Sequence, residues 1–249
     1  VGIKIATTLA GAGALTMLYA VLRALPVARP GLWTILAMTS TGLLYRLNLA
    51  KAPGISILFL LLGVWLIIRA TQARTNRQST ILHSSFFILN FLYVWLYAAW
   101  PFLLTFTVLW WLSVGIIQRR SVHQMLLAGV SGIILGLIVN PFFPENIQFL
   151  WWLVVKVGLI NYHNILNVGN EWRPLPLLEF VGSNFLVFLA TMIDLALLGI
   201  VVNRFRHTLA GQAFLKSENT RFTFWVAALL MTILLFAGTL KARRNIEYL

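Results

Sequence analysis

Long apolar runs separated by short basic patches set the pattern of this chain. About 20 apolar residues carry an α-helix across roughly 30 Å of hydrocarbon. Runs of that kind predict spans near 4–22, 31–46, 53–69, 81–97, 100–118, 122–140, 181–202 and 222–240. The expected fold is all-α: a polytopic transmembrane bundle of about eight spans in a single domain, 1–249. The stretch 81–117 is too long for one crossing, and Pro101, after Ala98, Ala99 and Trp100, marks a tight turn between two. Gly11 and Gly13, and further on Gly129, Gly132 and Gly136, are spaced to let helices approach closely in lipid.

One apolar run breaks the pattern. Residues 147–160, IQFLWWLVVKVGLI, are too few to cross and carry Trp151, Trp152 and Lys156, which predicts an interfacial or re-entrant helix. Residues 141–180 then form one long external loop containing that helix. Basic residues support this topology, because Lys and Arg are retained on the cytoplasmic side. Arg23, Arg29, Arg69, Arg74, Arg77, Arg119, Arg120, Arg204, Arg206, Lys216 and Arg221 fall on one side of the eight spans, eleven against eight on the other. The second side holds Glu145, Glu171, Glu179 and Glu247, four of the six acidic residues.

Composition agrees with a bilayer as solvent. Apolar residues make up 60% of the 249 positions and charged residues 10%, more apolar surface than one soluble core can bury. The net charge of +13 lies in scattered clusters between apolar runs rather than along one polar face, so it predicts topology and not nucleic-acid binding. With no cysteine and four histidines, disulfides, thiolate metal sites and structural zinc are not expected. A first residue Val1 in place of methionine leads us to expect part of a longer chain.

Candidate chemistry concentrates in the external loop and after the last span. In NEWRPLP, Glu171, Trp172 and Arg173 precede Pro174 and Pro176, which restrain the backbone. A carboxylate held there can bind a metal, orient an acceptor or act as a base; the plainer reading is an interfacial Glu–Arg pair with a Trp anchor. His163, among Asn161, Tyr162 and Asn164, is either a polar wall of the same site or a headgroup-facing loop residue. Lys241, Arg243 and Arg244, with Glu247 and Tyr248, close the last span on the side where cations are rare. A lipid-borne phosphate or diphosphate would compensate them, and Arg46 and Lys51 would add to that field. The alternatives are a helix count off by one and ordinary headgroup snorkelling. Asp194 is the one acid well inside a span, which points either to a functional carboxylate or to pairing with a neighbouring helix.

Together, the multi-span bundle, the loop with its re-entrant helix and NEWRPLP, and RRNIEY after the last span resemble bacterial GT-C superfamily membrane glycosyltransferases. That resemblance implies transfer of a sugar from a polyprenyl phosphate or diphosphate to an acceptor at the external, periplasmic face of the bacterial inner membrane. It implies Glu171 as the acceptor- or metal-arranging glutamate, a divalent metal (Mg or Mn) as cofactor, and Arg243 or Arg244 as the arginine meeting the lipid phosphate; Tyr248, Arg173, His163, Arg46 and Lys51 are the further candidate substrate-binding residues read from the sequence itself. The expected partners are a lipid-linked sugar donor and membrane lipids. The chain departs from that pattern in one respect: no external loop before Glu145 carries an acid, where such enzymes place an aspartate. Rival readings are a transporter or flippase of a lipid-linked or anionic substrate, an O-antigen-type polymerase or ligase, and a non-catalytic scaffold.

Overall fold

The structure, a computed structural model, describes residues 2–25, 27–40, 43, 44, 47, 53–118, 123–160, 176, 178, 182, 185–206 and 219–239. Within these residues the secondary structure is helical, with no strand. The helices are α1 (Gly2–Ala24), α2 (Pro30–Met38), α3 (Pro53–Thr71), α4 (Asn76–Leu96), α5 (Trp100–Gln118), α6 (His123–Val139), α7 (Glu145–Leu150), a π-helix (Trp151–Ile160), α8 (Phe185–Arg206) and α9 (Asn219–Thr239). The chain forms two compact units, one of residues 1–115 and 120–143, the other of residues 116–119 and 144–249.

Four helices, α1, α3, α4 and α5, are long and apolar enough to cross a bilayer, consistent with an integral membrane protein. The described apolar stretches of α6, α8 and α9 are shorter: His123–Val139, Leu189–Ile200 and Thr220–Leu235. In the run predicted over 31–46, α2 ends at Met38, where Thr39 and Ser40 turn the chain, and helical backbone is described again at residues 43, 44 and 47. Two features suit hydrocarbon surroundings. Large apolar side chains stand exposed along the outward faces, among them Ile5 and Leu9 on α1, Ile88 and Leu92 on α4, and Ile134 and Ile138 on α6. Hydroxyls inside the helices bond the carbonyl one turn back, as Thr16 does to Ala12 (2.8 Å), Thr107 to Leu103 (2.7 Å) and Ser131 to Leu127 (2.7 Å). A hydroxyl satisfied by its own helix needs no water.

Helix ends follow from local sequence. Thr75 caps α4 by accepting from the Gln78 N–H (3.2 Å), while the Gln78 side-chain oxygen accepts from the N–H of Arg74 (3.4 Å), one residue before the cap, a variant of the T-x-x-Q capping box. The same helix ends where Tyr97 turns extended, and α5 begins at Trp100 with Pro101 in its first turn, so the break falls where the proline predicts it. At the foot of α1, the Gln72 side chain donates to the Ala24 carbonyl (3.0 Å), satisfying a group the helix leaves open.

The first unit packs through small residues and one buried polar pair. Gly13 on α1 faces Leu58 on α3, and Gly63 on α3 faces Leu103 on α5, so closely that a Cβ at Gly63 would lie 2.6 Å from the leucine. The closest seam joins α6 to α4, where Gly129, Gly132 and Gly136 lie against Phe86, Phe87 and Phe91, as their spacing predicts. There the Trp95 ring N–H donates to the Gly136 carbonyl (2.9 Å). Between α3 and α4, the fully buried Tyr93 hydroxyl donates to the Ser56 carbonyl (3.1 Å) and lies 2.7 Å from the Ser56 hydroxyl, with Phe59 tilted against its ring at 5.6 Å. Tyr93→Phe removes a buried hydroxyl bonded to Ser56 with little change of shape. We expect a loss of about 1–2 kcal/mol, measured by unfolding in detergent; unchanged stability would show that the pair contributes nothing.

Candidate functional site

The second unit holds a groove lined by residues of the predicted interfacial helix. Helix starts at Glu145, whose carboxylate suits the positive end of the helix, and runs on through Ile160. The interfacial helix expected over 147–160 is thus helical throughout, but its winding changes at Trp151 from α to π. π-Helices are rare, usually single-turn bulges, and frequent at functional sites. Here the π-segment is ten residues long.

Along this segment lies a groove of about 500 Å³, lined by Ile147, Gln148, Trp151, Trp152 and Lys156. Ile147 with Trp151, and Gln148 with Trp152, are i, i+4 pairs that share a face in any α-turn. Lys156 stands four residues beyond Trp152, which keeps it on that side in an α-turn, and the wider i→i+5 winding also brings it nearer Trp151, from which five α-helical residues would rotate it by about 140°. The groove therefore combines indole faces, an aliphatic wall, a single ammonium and an amide. Trp151 is 60% exposed and Trp152 37%, so two large apolar side chains are presented rather than packed away. Such a surface accepts an amphiphile, with the apolar body along the indoles and an anionic head at Lys156.

The remaining predicted residues divide by whether they are described. Glu171, Arg173, His163, Arg46, Lys51, Arg243, Arg244 and Tyr248 lie outside the described residues, as do Lys241 and Glu247. Asp194 lies on α8, partly buried. Among the described residues no group of three His, Asp or Glu side chains is placed to hold a metal ion; Glu171, the candidate ligand for the expected Mg or Mn, lies outside them. The contribution of Gln148 was not foreseen. Its only signal is its position one turn before Trp152, in a run otherwise dominated by apolar residues.

Comparison with known protein families, with curated proteins and with solved structures finds no match to this chain.

Proposed function

We propose that this protein is a membrane-embedded glycosyltransferase of GT-C type, passing a sugar from a polyprenyl phosphate or diphosphate to an acceptor at the external face of a bacterial plasma membrane. The observation that carries the reading is the groove at Ile147–Lys156, which pairs exposed indoles with one cation, as a lipid-borne phosphate requires. Glu171 and Arg173 follow in the same connection. The proposal includes the eight-span topology, with 141–180 outside and Arg243 and Arg244 at the external end of the last span.

In the proposed reaction the acceptor hydroxyl oxygen attacks the anomeric carbon from the face opposite the phosphate. The carbon–oxygen bond to phosphate breaks, and the phosphate leaves with the bonding pair. The hydroxyl proton passes to the Glu171 carboxylate, and configuration at the sugar inverts. Arg243 and Arg244 neutralise charge growing on the departing phosphate. Lys156 and the two tryptophans hold the donor lipid in place without entering the chemistry.

The test is transfer of labelled sugar from polyprenyl-phosphate donors by the protein in liposomes. Removing a cation that only binds weakens ground state and transition state together. Lys156→Ala is therefore expected to raise the KM for the donor about tenfold, one partly exposed charge-assisted contact, with kcat nearly unchanged. An unchanged KM would separate the groove from the donor, and no transfer from any polyprenyl-phosphate sugar would reject the reading.

A further inference from the structure

Asp194 is the tenth residue of the 22-residue helix α8, with apolar residues filling Leu195–Val202 after it and Leu189–Ile193 holding one hydroxyl, Thr191, before it. Among the described residues no hydrogen bond or ion pair reaches its carboxylate. The neighbouring helix α9 cannot supply a cation at that depth, because it carries no charge after Arg221 in its first turn. A carboxylate in mid-membrane is retained when something of opposite sign meets it or when water reaches it.

The face beside Asp194 is open as well. Leu189, Ile193, Leu197 and Ile200 are exposed, while Thr191 is the buried member of the described stretch 189–200. Ala190, one turn before Asp194, is small and exposed, and a Cβ added at Gly199 would meet nothing within 4 Å. Small residues beside a polar one let a second helix come near enough to bond it. Lipid alone would cover the aliphatic side chains but would leave the carboxylate unanswered. A second copy docked face to face would bring a second Asp194 to the same place, like charge against like. The complement is a helix with a positive side chain.

We propose that α8 is a docking helix for a partner polypeptide's transmembrane helix that carries a lysine or arginine at mid-membrane depth, with Asp194 as the counter-charge. This proposal rests on α8 as a span of the proposed topology and is independent of sugar transfer.

The experiment places the full chain in lipid nanodiscs with one of two synthetic leucine–alanine transmembrane peptides of about 22 residues, identical except for arginine or leucine at the centre. Association is read by energy transfer between labels. The arginine peptide is expected to bind at least tenfold more tightly than its twin, a preference that disappears in Asp194→Asn and survives in Asp194→Glu. Circular dichroism of each variant confirms that helix content is retained. Equal binding of the two peptides, or a preference that persists in Asp194→Asn, overturns the proposal.

Discussion

Gly132→Val is expected to cost at least 3 kcal/mol, roughly the upper end for an overpacked core, and to separate α6 from α4. A Cβ at Gly132 would collide with the Phe87 carbonyl oxygen and crowd the Asn90 Cβ (3.3 Å), atoms fixed in the α4 backbone or next to it. Neither can rotate out of the way, so the two helices must move apart. In hydrocarbon that separation has no hydrophobic compensation, since lipid tails are as apolar as the faces they would replace. The Trp95–Gly136 hydrogen bond lies one turn further along the seam and would stretch with it. A milder result is expected at Gly129, where the atom met is the far edge of the Phe86 ring (2.9 Å), which can swing. Gly115→Ala is the control: nothing lies within 4 Å of a Cβ there, and alanine favours the helix. Unfolding in mixed micelles measures all three. A Gly132→Val protein as stable as Gly115→Ala would mean that α4 and α6 do not meet this way.

Arg244→Ala should lower sugar transfer by a factor of about 100 to 1,000, the range seen when a preorganised group facing a developing negative charge is removed, while the protein still inserts and folds. In the proposed reaction the leaving phosphate gains charge as its bond to the sugar breaks, so a guanidinium at the phosphate would stabilise the transition state more than the bound donor. The loss should accordingly appear in kcat, unlike the KM effect expected for Lys156→Ala. Arg244→Lys should recover part of the rate, because an ammonium restores charge but not the two-pronged geometry that fits phosphate. A carrier of lipid-linked substrates would behave differently, losing binding and having no chemical step to slow. Transfer unchanged in both Arg244→Ala and Arg243→Ala would remove the basis for placing the phosphate after the last span.

Much of the first unit was legible because hydropathy and packing ask for the same residues. The run 53–69 became α3 (Pro53–Thr71), and the glycines spaced along 129–136 met the aromatic residues of α4. The predicted span 81–97 starts five residues late, since hydropathy ignores the polar first turn NRQST that the Thr75–Gln78 cap holds in helix. The run predicted over 31–46 is interrupted at Thr39 and Ser40, whose turn hydropathy does not register; helical backbone is described again at residues 43, 44 and 47. In the candidate site, Trp151, Trp152 and Lys156 were conspicuous in the sequence, but the groove was not. Its geometry depends on which carbonyl each N–H selects, and an α-helix and a π-helix of WWLVVKVGLI have identical composition and hydropathy. The charged residues proposed for catalysis lie outside the described residues, so their standing rests on sequence.

The π-winding also makes residue number, and not residue identity alone, a determinant of what the groove can hold. A helix closed i→i+5 carries more chain per turn than its α counterpart. Adding one residue between Trp152 and Lys156 would keep every aromatic and the lysine in the chain, yet a segment rewound as α-helix would then hold the ammonium five residues beyond Trp152 and six beyond Trp151, turned away from both indoles. Related chains that share this use should keep the count between the indoles and the cation even where the intervening aliphatic residues drift, a fingerprint written as spacing.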